Sequence, residues 1–312
     1  MLKLQNTICK FKETTMPIII PKDIPAFSVL EKSAFVMDTA RAKHQDIRAL
    51  EILIINLMPT KIETENQLLS LLANSPLQIN ITLLTTQSYV GKNTPKSHLD
   101  KFYVHFERIA GQKFDGAIIT GAPIEHLEYE AVQYWAEMCE IMDFLRAKCT
   151  SSLYLCWGAM AGLYHFHKIP KTTLGAKLSG IYEHNIITQN VLLSGLGDIV
   201  KIPHSRYSGI DEKVAERKAA ESSLDILLKG AQSGISLLKD QKDIFMLGHP
   251  EYGKFTLRDE YERDTAKGVE IDAPLNYFAK DGAVRYDWRA DASVIFANWL
   301  NFCVYQDTPF VL

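Results

Sequence analysis

Three residues of the 312-residue chain have the types and settings for nucleophilic catalysis: Cys156, His249 and Glu251. Cys156 ends the apolar run Ser-Leu-Tyr-Leu-Cys and is followed at once by Trp-Gly-Ala-Met-Ala-Gly. Small residues there allow a tight strand-to-helix turn and close helix–sheet packing. A thiol at such a corner projects into a crevice with helix N-terminal N–H groups behind it, which favour a thiolate and can donate to an oxyanion. Taken alone, a cysteine at an apolar strand end is more often a packed core thiol. His249 follows the strand-like Asp-Ile-Phe-Met-Leu and precedes Pro250-Glu251-Tyr252. A histidine at a strand end can act as general base, and a carboxylate two residues on can fix its tautomer and stabilise the imidazolium. By itself His249 reads equally well as a histidine in a surface turn. Together the three form a nucleophile–base–orienter set of moderate specificity.

The elements that must position these residues alternate between two periods. Residues 49–57 (ALEILIINL) form a near-continuous apolar run, as expected of a strand buried on both faces. The pattern predicts a helix over 64–73, a strand over 78–86, a strand over 116–120 and a helix over 128–147. It then predicts a strand over 152–156 and a helix over 157–166. Later strands fall at 234–238 and 243–248, and later helices at 255–266 and 293–305. Strand alternating with helix implies an α/β fold with a parallel sheet covered on both faces. Ligands of such sheets bind beyond the C-terminal strand ends, which singles out residues 56–61, 121–125, 156–159 and 248–252. Polar segments at 56–61, 63–67, 177–180, 182–184 and 203–207 each read as a solvated loop, and jointly as the lining of a substrate pocket.

The balance of 34 Lys+Arg against 37 Asp+Glu gives a net charge of −3, so no basic surface for nucleic acid is expected. No apolar run of about 18 residues exists, which argues against a membrane span. The N-terminus is too polar for a signal peptide. Cys9, Cys139, Cys149, Cys156 and Cys303 are odd in number and include no C-x-x-C pair, which fits a reducing cytoplasm. The scattered histidines lack zinc-ligand spacing, and no phosphate-binding glycine motif is present, so no metal or nucleotide cofactor is expected. Residues 1–15 read as a loosely ordered extension, with Met16 an alternative first residue, and residues 16–312 as one domain.

The segments NLMPTKIETENQ (56–67), TGAPIE (120–125), TSSLYLCWGAMAGLY (150–164), KLSGIYEH (177–184), PHSRY (203–207), GHPEY (248–252) and NWLNFCVYQ (298–306) together resemble the homoserine O-acyltransferases of methionine biosynthesis, the MetA type. The resemblance runs from Met16 to the C-terminus. It implies a flavodoxin-like parallel sheet of the class I glutamine amidotransferase-like type, with additional C-terminal elements. It also implies ping-pong transfer of an acyl group from acyl-CoA to L-homoserine. On that resemblance Cys156 is the acyl-accepting nucleophile, His249 the base and Glu251 its orienting partner. The Trp157 backbone N–H is the oxyanion donor, and Lys177, Ser205 and Arg263 match homoserine-binding positions. Lys61 matches a lysine of the family's first strand-end loop. Acetyl-CoA is the expected co-substrate, with succinyl-CoA the alternative donor; no bound cofactor or metal is implied, and a homodimer is compatible.

Glu125 bears on the donor. In this family a glycine two residues after the Gly-Ala-Pro proline resembles succinyl enzymes, and glutamate there resembles acetyl enzymes. A succinyl group carries its own carboxylate, and juxtaposed like charges cost several kcal/mol, enough for about a 100-fold preference. The other reading of Glu125 is a first-turn helical glutamate favoured by the helix dipole. Two departures stand out: the stretch between His184 and His204 is one residue shorter than in similar chains, and Tyr154 replaces the glycine that amidotransferases of this fold carry two residues before the nucleophile. The rival readings are a glutamine amidotransferase or related cysteine hydrolase, and a non-catalytic binding protein on the same fold.

Overall fold

The computed structural model describes residues 18–32, 36–38, 48–88 and 93–309; the expected extension at 1–15 lies outside them. The apolar run of residues 49–57 forms β3, Leu50–Ile55, and its alternation divides it between two cores. Leu50, Ile52 and Ile54 pack with Leu68, Leu69 and Leu72, whereas Leu53 and Ile55 pack with Met138, Ile141, Met142 and Leu145. Burial on both faces explains the unbroken apolar sequence.

The other strands are β1 (Ile18–Ile19), β2 (Val36–Met37), β4 (Ile79–Leu84), β5 (Tyr103–Val104), β6 (Phe114–Ile119), β7 (Cys149–Leu155), β8 (Lys171–Ile186), β9 (Ile199–Ile210), β10 (Leu224–Gly230), β11 (Gly234–Asp240) and β12 (Asp243–Met246). They form one 12-stranded sheet in the order β2-β1-β4-β3-β6-β7-β12-β11-β10-β8-β9, with β5 on β4. From β2 to β12 the pairing is parallel, and from β12 to β9 antiparallel. The helices are α1 (Pro25–Leu30), α2 (Lys61–Leu72), α3 (Lys96–Phe102), α4 (Trp135–Lys148), α5 (Trp157–His167), α6 (Glu212–Glu221), α7 (Thr256–Ala266) and α8 (Arg289–Asn298). Among the described residues no helix is long and apolar enough to cross a membrane.

The C-terminal ends of neighbouring β3, β6, β7 and β12 bring Asn56, Thr120, Cys156 and Gly248 to one edge, as a parallel sheet requires. Three expectations need correction. The helix expected over 128–147 starts only at Trp135, because Tyr129 stacks on Trp135 and Tyr164 at 5.0 and 4.6 Å within a short 3₁₀ turn. The last helix begins at Arg289 and widens into a π-helical stretch, Trp299–Tyr305, where Trp299 Nε1 donates to Ser151 Oγ at 3.1 Å. Finally, the polar segments at 177–184 and 203–207 are not loops but parts of the paired strands β8 and β9. That hairpin reaches back over the strand ends, where the Pro203 carbonyl accepts from the His249 amide at 2.8 Å.

Candidate active site

Cys156 caps α5 with φ 48° and ψ −113°, a conformation that strains any residue bearing a side chain. Strand and helix hold it there: its amide donates to the Met246 carbonyl at 2.7 Å, and its carbonyl accepts from Met160 at 3.0 Å. Two glycines make the corner this tight. A Cβ on Gly158 would stand 2.7 Å from the Thr120 carbonyl oxygen, so only glycine lets α5 lie this close to the end of β6. A Cβ on Gly121 would stand 3.2 Å from Cys156 Cβ and 3.3 Å from His249 Cε1. Gly121 therefore leaves the room in which nucleophile and base meet.

His249 lies beside Cys156, close enough for the thiol to act on its titration. Its Nδ1 lies 2.7 Å from Glu251 Oε1, and its ring stacks on Tyr252 with centroids 4.2 Å apart. With Nδ1 committed to Glu251, Nε2 is left for the thiol and for substrate. Burial disfavours the imidazolium, but Cys156 and Glu251 outweigh it and lift the His249 pKa well above its ordinary value. Glu251 Oε2 is buried with no hydrogen-bond partner among the described residues, so the carboxylate is directed wholly at the imidazole. The three residues picked out by type and spacing thus meet at one site, with His249 and Glu251 hydrogen-bonded and Cys156 beside them.

A cavity of about 290 Å³ opens on Cys156 and His249, with Lys177, Ser205 and Arg263 in its wall. Lys177 Nζ donates to Asp264 Oδ2 at 2.9 Å, and the half-exposed Arg263 donates to Asp264 Oδ1 at 2.8 Å. Burial opposes charge on Asp264, but the two cations outweigh it and hold its carboxyl below the usual range. Ser205 Oγ donates to Glu260 Oε2 at 2.5 Å, and the Tyr252 hydroxyl donates to Glu260 Oε1 at 2.9 Å. Glu260 and Arg263, three apart on α7, present an anion and a cation to the same space.

Glu125 lines the cavity too, within a turn rather than the first turn of a helix. Its Oε2 accepts from the amides of Tyr207 and Ser208, each at 2.8 Å. Burial raises its pKa, and those amides, His249 and Arg206 pull it back only part of the way.

Residues 17–310 match the family model described as Homoserine O-succinyltransferase. The chain belongs to the homoserine O-succinyltransferase family. Curated relatives carry the other acyl name. A Campylobacter jejuni (strain RM1221) protein named homoserine O-acetyltransferase is 54% identical over 297 residues, 95% of this chain and 100% of its own length. A Bacillus licheniformis protein of the same name is 50% identical over 302 residues, 95% of this chain and 99% of its own. Among solved structures, a glutamine amidotransferase from Thermotoga maritima superposes with a TM-score of 0.58 at 10% identity, covering 83% of this chain and all of that one. A glutamine amidotransferase from Methylobacillus flagellatus gives 0.53 at 12% identity, covering 82% and 95%. These two likenesses establish the class I amidotransferase-like fold expected from the sequence.

Two features of this member of the homoserine O-succinyltransferase family sharpen the site. Tyr154, two residues before Cys156, is fully buried and stacks on Phe245 at 5.0 Å. Lys61 does not line the Cys156 cavity. It is buried at the start of α2, its ammonium donates to the Asn56 carbonyl, and it lines a separate cavity of about 360 Å³ with Thr60, Asn66 and Thr94. Burial lowers its pKa to about 8. Glu260 and Tyr252 hold places in the site that no expectation from the sequence assigns them. The signal available was Glu260 three residues before Arg263 in a helical pattern, which puts both on one face.

Proposed function

We propose that this chain transfers an acetyl group from acetyl-CoA to the γ-hydroxyl of L-homoserine through a thioester on Cys156. The observation that carries the reading is the Glu125 carboxylate held in the same cavity as Cys156 and His249. A donor with a terminal carboxylate meets a like charge there, whereas the methyl of an acetyl group does not. The identity of the curated acetyltransferase relatives supports it.

In the first half-reaction the Cys156 thiolate attacks the thioester carbonyl, and the Trp157 backbone N–H, at the uncapped start of α5, stabilises the oxyanion. The C–S bond to CoA breaks, and His249 gives its proton to the departing thiolate. In the second, His249 Nε2 takes the proton of the homoserine hydroxyl as its oxygen attacks the thioester. The new C–O ester bond forms, and the Cys156 thiolate leaves beside the reformed imidazolium. Glu251 stabilises that imidazolium in both halves. Glu260 receives the substrate ammonium, while Arg263, with Lys177, receives its carboxylate. Ser205 keeps Glu260 in place. The scheme requires no metal and no organic cofactor besides the CoA thioester, and an unpaired thiolate of this kind suits the reducing cytoplasm.

The test is thiol release from acetyl-CoA and succinyl-CoA, each with and without homoserine. The reading expects homoserine-dependent release that is faster with acetyl-CoA. Faster turnover of succinyl-CoA would overturn the donor assignment, and CoA-independent glutamine hydrolysis would point to the amidotransferase reading instead.

A further inference from the structure

Behind Glu125 lies a buried cation with no assigned role. Arg206 is 2% exposed and sits in β9, immediately before the two residues whose amides grip Glu125. Its guanidinium donates to His204 Nδ1 at 3.2 Å, the Ser208 carbonyl at 2.5 Å and the Ser233 carbonyl at 2.8 Å. All three acceptors are neutral, and among the described residues Arg206 joins no ion pair at contact distance. An unpaired buried charge is costly, so its retention here calls for a counter-charge nearby. The carboxylates that act on it are Glu125 from the cavity side and Glu212 from α6, with the Cys156 thiol and the Tyr182 hydroxyl also within its reach.

The backbone around Arg206 is equally unusual. In a regular strand successive amides point to opposite sides, yet those of Tyr207 and Ser208 meet at one carboxylate oxygen. The β8–β9 register breaks at this point: Leu178 pairs with Arg206 and Thr173 with Ser208, so β8 carries extra residues opposite Tyr207. Bulges of this kind re-aim groups beside active sites. Arg206 ties the deformed segment together, because it clasps the Ser208 carbonyl while the Ser208 amide holds Glu125. Gly209 makes room for it, since a Cβ there would stand 3.0 Å from Arg206 Nη1.

We propose that Arg206 is a specificity-positioning residue for the acyl donor: it fixes the 206–209 segment opposite the β8 bulge and supplies the positive charge that together keep Glu125 an aimed carboxylate in the cavity. The proposal rests on the reading that Glu125 selects the donor, and makes that selection the work of a pair. Other groups acting on Glu125 are His249 and the Lys171 ammonium, which donates to the Glu125 main-chain carbonyl. Both remain in an Arg206 variant. With Arg206 gone, the burial that raises the Glu125 pKa is opposed by fewer charges, so the carboxyl binds a proton as pH falls.

The experiment measures the ratio of acyl-enzyme formation rates with acetyl-CoA and succinyl-CoA, from pH 6 to 8.5, by intact-protein mass spectrometry. A ratio divides out any loss common to both donors. The wild-type ratio should be high and nearly independent of pH. Arg206→Gln should lower it about 10-fold at neutral pH, with a further fall toward pH 6. Arg206→Lys should restore the flat pH profile. Adding Arg206→Gln to Glu125→Gln should change the ratio no further. Gly209→Ala, which displaces the guanidinium while keeping its charge, should shift the ratio the same way by about 3-fold, and it serves if Arg206→Gln does not fold. An unchanged, pH-independent ratio in Arg206→Gln, or in Gly209→Ala where that variant stands in, would overturn the proposal, as would independent effects in the double variant. If Glu125→Gln alone leaves the ratio unchanged, the donor reading itself falls, and the role of Arg206 falls with it.

Discussion

Replacing Glu251 with glutamine isolates the charge behind the base. The 2.7 Å contact between His249 Nδ1 and Glu251 Oε1 is buried on both sides. At that separation and an effective dielectric of about 20, the attraction between carboxylate and imidazolium is about 6 kcal/mol before desolvation. The glutamine amide can still accept a neutral hydrogen bond, and it no longer buries a charge. About 2–4 kcal/mol of imidazolium stabilisation should therefore be lost. If the imidazolium forms in both half-reactions, kcat/KM for acetyl transfer should fall about 30- to 1,000-fold. Thiol release followed at saturating homoserine reads this loss, and alkylation of Cys156 at neutral pH should slow in parallel, since its thiolate loses a stabilised partner. Retention of kcat/KM within about 3-fold would refute the assignment of Glu251 as the group that stabilises His249.

Other perturbations test separate parts of the structure. Gly121→Ala puts a methyl group 3.2 Å from Cys156 Cβ and 3.3 Å from His249 Cε1. Spreading the pair by a few tenths of an ångström should reduce acyl transfer about 10-fold with little change in melting temperature. Gly162→Ala points its methyl at Phe245 Cε1, 2.8 Å away, and at Tyr154 Cδ1, 3.1 Å away. It should destabilise the protein by about 1–2 kcal/mol, read as a melting temperature a few degrees lower, with the site chemistry intact. His184 is buried, and its pKa is lowered from 6.5 to about 4. Because the unfolded chain binds this proton first, the stability contribution is full above pH 6.5 and is lost as pH falls toward 4. It amounts to about 3 kcal/mol. Denaturant titrations at pH 7 and pH 5 should show the loss, and His184→Gln should make it smaller.

Much of this was legible in the sequence, for physical reasons that differ by element. β3, β6, β7 and β12 are buried on both faces, so they announce themselves as apolar runs, and their shared strand-end edge follows from parallel topology. The structure brings Cys156, His249 and Glu251 together at that edge. The β8–β9 hairpin was illegible because polar residues interrupt any period-2 pattern: Lys177 and Ser205 line the pocket, while His184, His204 and Arg206 are buried polar groups satisfied only across the fold. The Ser205–Glu260 hydrogen bond and the double amide grip on Glu125 join residues far apart in sequence, which no local pattern encodes. Glu125 was open to reading as a helix-start glutamate because only tertiary structure supplies the Tyr207 and Ser208 donors. The late start of α4 has the same origin, in an aromatic stack between Tyr129, Trp135 and Tyr164 that overrides helical periodicity.

The most direct test of the central claim is intact-protein and peptide mass spectrometry after mixing with acetyl-CoA alone and then adding L-homoserine. The account predicts a single acetyl adduct on Cys156 that disappears on adding homoserine, with O-acetylhomoserine formed in equal amount. No adduct on Cys156, or an adduct that homoserine leaves in place, would contradict it.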